Sequence, residues 1–453
     1  MLDSLTVIRS KIGTLIAAIR HPALSGLATL IALSAWTGRF VFKSPEHFSI
    51  AIVGDFTKSK VDIGSQTADQ IFAAFRDQQW PDLHGIKVQV SSKQNDDGNP
   101  EKGKLIAQTL TDTRDCILVI SQAGSTDAAA SLPIYLTKRQ PPLAVVLSSA
   151  SNPDILPPGE EEDSAHPFPV LRLIPPDNTR AQTIATRAVH DLNAKSFWVV
   201  EDGENPVFTH YLAREFVRRL AEQQGRTVAW STSMNIPFVP ELTSLGIDGV
   251  FFAGSWDNGT ILAQQVKKIF LEKKKLDNRL TMPKILLSAS PDSTALLGEH
   301  FQTLDGLEGV YVLNRVKAGE YMMDGYHAMA QRTGKIIACI ISEANARFEE
   351  LASKQSSTFW LRRYWGIGGD DGRNAINAVI QDMMISGTPL TCDISGASPN
   401  SLNTMTIAFD RYHNMQGMET DLWKIDRIKS VDDRQPGYRF VECPPGGHAC
   451  EDE

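Results

Sequence analysis

The sequence contains few cysteines and no grouping of residues typical of a metal site. Five of its 453 residues are cysteine, and none of them forms a CxxC pair. The ten histidines are scattered, and none stands at a metal-ligand or nucleophile–base spacing. We therefore predict neither a metal nor a cofactor, and these residues give no support to an enzyme.

The five cysteines carry only a weak redox signal. Cys116 lies in an apolar strand, Cys339 in an apolar helix and Cys392 near a turn, and all three are interpreted as small core residues. Cys443 and Cys450 flank the segment PPGGHA, and an oxidising compartment would let this loop close into a disulfide. The sequence leaves that pairing open, and the odd number of cysteines leaves at least one free thiol.

A basic surface for nucleic acid is also lacking. The formal net charge is −8, whereas a nucleic-acid-binding domain usually carries a basic patch or stripe. The Lys-rich run EKKK at 272–275 is interpreted as the solvated end of a helix. We therefore predict that the chain binds no nucleic acid.

The first 45 residues differ from the rest of the chain. Residues 22–38 form an uncharged run of 17 residues between Arg20 and Arg39, at the lower limit of the roughly 17–25 that a membrane-spanning helix needs. This predicts an uncleaved signal anchor at 22–42, with the remaining chain outside the cytoplasm. A cleaved export signal, with ALSA at 32–35 as the cleavage point, and a buried helix are the alternatives.

After residue 45, short apolar strands alternate with amphipathic helices. FSIAIVGDF (48–56), IKVQVSS (86–92) and CILVISQ (116–122) are the first three strands, and helices are predicted between them. A second series follows a Pro- and Glu-rich loop and includes FWVVED (197–202) and GVFFAG (249–254). Such alternation predicts an α/β fold of two doubly wound, Rossmann-like lobes with parallel sheets, joined by a multi-strand hinge.

Apolar segments that cross between the lobes set the predicted domain boundaries. The first lobe is expected to comprise 46–172 and 311–400, and the second 173–310 and 401–440, with 441–453 as a tail. Residues 404–417 are predicted to form a strand and turn, with DLWKI at 421–425 as the hairpin partner.

Small residues and hydroxyls follow the predicted parallel strands. SQAGST at 121–126 comes directly after an apolar strand and precedes a helix, and open α/β sheets bind ligands at this edge. Ser125 and Thr126 either cap that helix or contact a ligand, and one residue can do both. By contrast, the GIGGDDG stretch at 366–372 follows no apolar strand, so it predicts a helix start capped by Asp370 or Asp371 instead of a phosphate loop.

The order of these motifs resembles the type I periplasmic binding proteins, specifically the branched-chain amino-acid (Leu/Ile/Val) receptors of ABC transporters. The resemblance covers about 46–425 and rests on the order of several motifs. They are IAIVGDF, DDGNPEKGKLIAQTL, CILVISQAGSTDAAASLPIY, SSASNPDI, FPVLRLIPPDNTRAQTIA, GVFFAGSWDNGTILAQQVKK and FDRYHNMQG.

The resemblance implies where a ligand would bind. Its carboxylate and ammonium would be held by Ser125, Thr126, Ala150 and Ser151 on the first lobe, with Trp256 as a lid and Asp292 as an ammonium partner on the second. The aromatic hydroxyls expected after the first strand and in the EDGENPVF loop are not found: the first loop is TKSKVDIG, and the second offers Val207 and Phe208. The ligand is therefore expected to be an amino acid or a related carboxylate or amide.

Two functions follow from the resemblance. The first is a receptor on the periplasmic side that captures its ligand by hinge closure and delivers it to ABC permease subunits. The second is a membrane-anchored sensor or interaction module of the same fold, which works with a signalling partner and not in transport. The receptor is the leading hypothesis, and the uncleaved anchor and the missing aromatic hydroxyls suit the alternative.

Overall fold

The structure is a computed structural model, and it describes most of the chain after residue 44. The described residues are 45–56, 72–121, 124–156, 167–232, 243–244, 246–288, 306–314, 325–354, 369–393, 404–409, 414–415, 421–428 and 437–443. The predicted anchor at 22–42, Asp292 and Cys450 lie outside these residues. Among the helices that are described, none is long and apolar enough to cross a membrane.

Five parallel strands form the first sheet. In chain order they are β1 (His47–Gly54), β2 (Lys87–Asn95), β3 (Cys116–Ser121), β4 (Ala144–Leu147) and β5 (Val170–Arg172). Their order across the sheet is β2-β1-β3-β4-β5. Nearly all of β1 and all of β3 and β4 are buried, which is why these strands are apolar without alternation.

Helices cover both faces of the first sheet. On one face, Ala51 and Val53 of β1 pack with α1 (Pro100–Asp112) and α2 (Ser125–Thr137). On the other, Ile50 and Ile52 pack with α6 (Gly325–Lys354) and α7 (Gly369–Ser386). Since α6 and α7 follow the second lobe in sequence, the chain returns to complete the first lobe's core.

The second sheet has seven strands. β6 (Ser196–Glu201), β7 (Arg226–Ser231), β8 (Gly249–Ala253), β9 (Lys284–Leu287) and β10 (Val310–Asn314) are parallel. β13 (Asp421–Ile428) and β14 (Gly437–Cys443) extend it antiparallel, giving the order β14-β13-β10-β9-β8-β6-β7. α3 (Asp177–His190) and α4 (Pro206–Glu222) cover one face, and α5 (Trp256–Lys274) covers the other.

The predicted hairpin between 404–417 and 421–425 is wrong. β12 (Thr404–Ile407) pairs antiparallel with β11 (Leu390–Asp393), and β13 pairs with β10 and β14 instead. Ile407, Phe409 and Met415 pack in the first lobe's core. The two segments separate because the first packs in the core of the first lobe and the second joins the sheet of the second lobe. Neighbouring positions in sequence do not show this.

From one described element to the next, the chain changes lobe three times. These crossings follow β5, follow β10 and precede β13. At the first, Arg172 is buried and donates to Asn414 Oδ1 at 2.5 Å, and Met415 N donates to the Arg172 carbonyl at 3.0 Å. The first and third crossings are thus tied together, as a multi-strand hinge requires.

Three cysteine side chains lie in the described part of the chain, one of them a thiol and two of them oxidised. Cys116 is buried and free, as predicted, and burial raises the pKa of its thiol to about 11. Cys339 lies in the first lobe's core, as expected of a small core residue, and it is also disulfide-bonded. Cys443 is also disulfide-bonded. Oxidised cysteines favour a compartment outside the cytoplasm.

Candidate ligand-binding cleft

Ser125 is the first residue of α2, directly after the carboxyl edge of the first sheet. The N-cap residue is Gly124, so Ser125 does not cap the helix itself. Its side chain is buried, and its Oγ accepts a hydrogen bond from Asn152 N at 3.3 Å. Ser125 therefore joins the start of α2 to the turn that follows β4.

Thr126 contacts the second lobe directly. Its backbone N–H and its Oγ1 hydroxyl both donate to Asn205 Oδ1, at 3.1 and 2.6 Å. Its Oγ1 in turn accepts from Val207 N at 3.2 Å. The donors at the N-terminus of α2 thus face the space between the lobes and converge on one sp² oxygen.

Ala150 and Ser151 lie in the same wall of the first lobe and are fully buried. The Ala150 carbonyl accepts a hydrogen bond from Arg172 Nε at 3.3 Å, and the Ser151 carbonyl accepts from Asp177 N at 3.0 Å. Ser151 Oγ lies 3.4 Å from Arg180 Nη1. Ser125, Thr126, Ala150 and Ser151 therefore all follow strands β3 and β4 at the same edge of the first sheet. Their role as one wall of a ligand site stays a prediction.

Arg180 is a central residue of this region that sequence reasoning missed. It lies on α3 without solvent exposure and donates to Asp177 Oδ1 at 2.8 Å and to the Ser288 carbonyl. Its guanidinium is 5.5 Å from the Phe208 ring centroid, within the range of a cation–π contact. The only sequence signal was Asp177 three residues before Arg180, a spacing that is equally common on exposed helices.

Trp256 is the first residue of α5, after the N-cap Ser255. It is partly buried and packs against the core of its own lobe. Packing against its own lobe is a structural role that needs no ligand. To act as a lid as well, Trp256 would have to contact the ligand with the face of its ring that does not pack against the core. Its predicted partner, Asp292, is outside the described residues.

A second missed residue, Asp202, organises the edge of the second sheet. Its buried carboxylate follows β6, and its Oδ2 accepts from Ser255 N, Ser255 Oγ and Asn258 Nδ2 at 3.0–3.2 Å. Its Oδ1 accepts from Glu204 N at 3.0 Å. Asp202 therefore fixes the N-cap residue Ser255 and the Asn258 side chain at the start of α5, where a negative charge is favourable.

Acidic residues lie at the corresponding edge of the first sheet. Asp96 follows β2, is 1% exposed, and accepts a hydrogen bond from Gly98 N at 3.0 Å. Burial, with a smaller effect of the neighbouring carboxylates of Asp127, Asp55 and Asp97, raises the pKa of its carboxyl group to about 6. Within the described ranges, no three His, Cys, Asp or Glu side chains are grouped to hold a metal ion.

Comparison with known proteins gives matches at the level of structure. No family model matches the chain, and no curated protein does. Several solved structures match this chain, and each match covers nearly the whole length of the solved protein. The leucine-binding protein LivK from Thermotoga maritima is 14% identical, with a TM-score of 0.59 over 88% of this chain and 99% of that one.

Other matched structures belong to the same class. A solute-binding protein from Rhodopseudomonas palustris, in complex with 3,4-dihydroxybenzoic acid, is 13% identical, with a TM-score of 0.58 over 88% of this chain and 97% of that chain. A type 1 periplasmic binding protein from Bordetella pertussis is 15% identical, with a TM-score of 0.57 over 88% of this chain and 100% of that one. The chain therefore has the fold of the type I periplasmic binding proteins, as the order of its motifs predicted.

Proposed function

We propose that the chain is a non-catalytic extracytoplasmic receptor that binds a small carboxylate, such as an amino acid, or a related amide between its two lobes. The observation that carries this proposal is the start of α2, where the N–H and hydroxyl of Thr126 converge on one sp² oxygen. A carboxylate or carboxamide oxygen meets the same donors, and the helix dipole favours the carboxylate.

The similar structures support a carboxylate ligand. Solved structures with this fold are complexes with leucine, 3,4-dihydroxybenzoic acid and benzoate. These three compounds differ in size and in the rest of their polar groups, but each carries a carboxylate. The carboxylate is the group that the three compounds share, and it fits the Thr126 donors. We therefore propose the class of the ligand, a carboxylate, and not a particular compound.

The proposed contacts extend to both lobes. Ser125, Thr126, Ala150 and Ser151 would form one wall, and Trp256 and Asp292 the other. A ligand that touches both walls favours the closed arrangement because only that arrangement makes both sets of contacts. ABC permease subunits would then recognise the closed receptor, held on the periplasmic side by the predicted anchor at 22–42.

A thermal-shift screen tests the proposal. The chain would be screened against the twenty amino acids, benzoate, hydroxybenzoates and simple amides. A ligand at ~100 times its Kd adds about 2.7 kcal/mol to the free energy of unfolding. Thr126→Val should abolish the shift, whereas Thr137→Val, at the exposed end of the same helix, should preserve it. Failure of every compound to stabilise the chain would contradict the proposal.

One observation favours the second function, a sensor or interaction module. The lobes bind each other through their own groups, with Asn152 Nδ2 donating to the Val207 carbonyl at 2.8 Å beside the Thr126–Asn205 contact. A module that signals by protein contact can use such a self-closed cleft. Permease and ATPase genes beside this one would favour transport, and a kinase or cyclase gene would favour sensing.

A further inference from the structure

Two helices, one from each lobe, begin at the same point between the lobes. α2 of the first lobe has Gly124 at its N-cap, and α4 of the second lobe has Asn205 at its N-cap. Neither N-cap residue makes a side-chain hydrogen bond to its own helix. A glycine cannot make one, but asparagine is among the preferred N-cap residues because its side chain normally accepts from the second or third amide of its own helix.

Each helix is capped by a side chain of the other lobe. Asn205 Oδ1 accepts from the N–H of Thr126, the second residue of α2, at 3.1 Å. Thr126 Oγ1 accepts from the N–H of Val207, the second residue of α4, at 3.2 Å. The two capping side chains also bind each other, since the Thr126 hydroxyl donates to Asn205 Oδ1 at 2.6 Å. The two caps are therefore exchanged between the lobes.

Gly124 leaves room for the Asn205 side chain because it has no Cβ. A Cβ at position 124 would lie 2.7 Å from Asn205 Nδ2, well inside van der Waals distance. The backbone of Gly124 has φ −63° and ψ 168°, a conformation that any residue adopts, so no backbone strain requires glycine here. The glycine therefore serves the close approach of the Asn205 side chain.

We propose that this reciprocal capping by Thr126 and Asn205 is an intramolecular latch that holds the two lobes together. When the lobes separate, the N-termini of α2 and α4 lose their side-chain caps at the same moment. Asn205 also covers the donors of Thr126, so a ligand reaches them only after the latch opens. The latch concerns the contact between the lobes and does not depend on the identity of any ligand.

Distances between the lobes test the latch in the full chain without added ligand. Spin labels at Leu105→Cys on α1 and Leu271→Cys on α5 would report the distance, because both leucines are exposed and lie on opposite lobes. Asn205→Ala should shift the distribution measured by double electron–electron resonance to longer distances. Glu204→Ala, at the exposed neighbouring residue, should leave the distribution unchanged.

Gly124→Ala provides a second test from the first lobe. Its methyl group should displace Asn205 and lengthen the distance as Asn205→Ala does. In the Asn205→Ala background it should have no further effect, because the side chain that it meets has been removed. Asn205→Asp keeps the accepting oxygen and should retain the short distance.

Two results would overturn the proposal. One is a distance distribution that Asn205→Ala leaves unchanged while circular dichroism shows a folded chain. The other is an effect of Gly124→Ala that persists in full when Asn205 is already alanine. Because the distances are measured without ligand, a failed ligand screen would leave the latch standing, and an unchanged distance would leave the proposed receptor function standing.

Discussion

Arg180 and Asp177 form an ion pair at the start of α3, with Nη1 2.8 Å from Oδ1 and neither side chain exposed to solvent. The same guanidinium reaches Ser151 Oγ on the first lobe and the Ser288 carbonyl on the second. A charged group in this position is desolvated, so its hydrogen bonds and its counter-ion are needed to offset the cost of burial. The pair therefore supports the junction of the lobes.

Replacing Arg180 should destabilise the chain strongly. Arg180→Met leaves the buried carboxylate of Asp177 without its cation, which costs about 3–5 kcal/mol in the free energy of unfolding. The double variant Arg180→Met/Asp177→Leu should recover part of this loss, because it removes both charges together. Urea unfolding monitored by circular dichroism measures both values. A single variant that loses less than about 1 kcal/mol, the range of an exposed pair, would contradict this account.

Asp202→Ala should loosen the start of α5. The substitution removes the acceptor of three hydrogen bonds from Ser255 and Asn258, and loss of a charged acceptor at a helix N-terminus costs about 1–2 kcal/mol. Asp257→Ala is the matched control, since Asp257 is exposed in the first turn of the same helix. It should change the free energy of unfolding by less than about 0.5 kcal/mol. Equal losses in the two variants would argue that Asp202 is not the residue that organises this helix start.

The fold was predictable where burial alone dictates the residue types. The apolar runs of β1, β3 and β4 are buried on both faces, and their alternation with amphipathic helices predicted parallel sheets. The antiparallel extension by β13 and β14 was missed. This extension depends on a free edge of β10 in the second sheet, with which β13 pairs. The sequence of β13 does not show which strand edge it will pair with.

The position of the SQAGST residues between a strand and a helix was predictable, but their contacts were not. SQAGST predicted polar groups at a strand end, and the structure places Ser125 and Thr126 there. Asn205 and Arg180 were missed because each acts on a group far away in sequence. An asparagine before Pro206 predicts a helix cap, and nothing local shows that the helix it caps belongs to the other lobe.

Asp96 should make stability depend on pH. Burial raises its folded-state pKa from 3.8 to about 6, so the folded chain holds this proton more tightly than the unfolded chain does. Its contribution to the free energy of unfolding is therefore present below about pH 4 and is lost as the pH rises through 6. Asp96→Asn should remove that loss and be more stable than wild type at pH 7.

Unfolding of wild type and Asp96→Asn at several pH values between 4 and 7 measures this difference. Other carboxylates titrate in the same range, so the comparison uses the difference between the two curves and not the wild-type slope alone. Asp82→Asn, at an exposed position, provides the control and should leave the slope unchanged. Parallel curves for wild type and Asp96→Asn would show that the Asp96 proton is held equally in both states.

Arg373 ties the returning helix α7 to the first sheet. Its buried guanidinium donates to the carbonyls of Cys116, Thr111 and Thr113 at 2.8–3.1 Å. Thr111 belongs to the last turn of α1, and Thr113 is its C-cap. Carbonyls at a helix C-terminus lack partners within the helix, so Arg373 supplies the hydrogen bonds that α1 cannot make for itself. Burial lowers the pKa of Arg373. The guanidinium is nevertheless needed here, because a carbonyl oxygen can only accept a hydrogen bond and requires a donor.

Arg373→Lys should therefore destabilise the chain although the charge is kept. A lysine ammonium lacks the planar fork that reaches several carbonyls at once, and each buried carbonyl left without a donor costs about 1–3 kcal/mol. We expect a loss of about 2–4 kcal/mol in urea unfolding. Arg114→Lys, the same exchange at an exposed neighbouring position, should cost less than about 0.5 kcal/mol. If Arg373→Lys were equally mild, positive charge alone would hold the end of α1, and the geometry of the guanidinium would not matter.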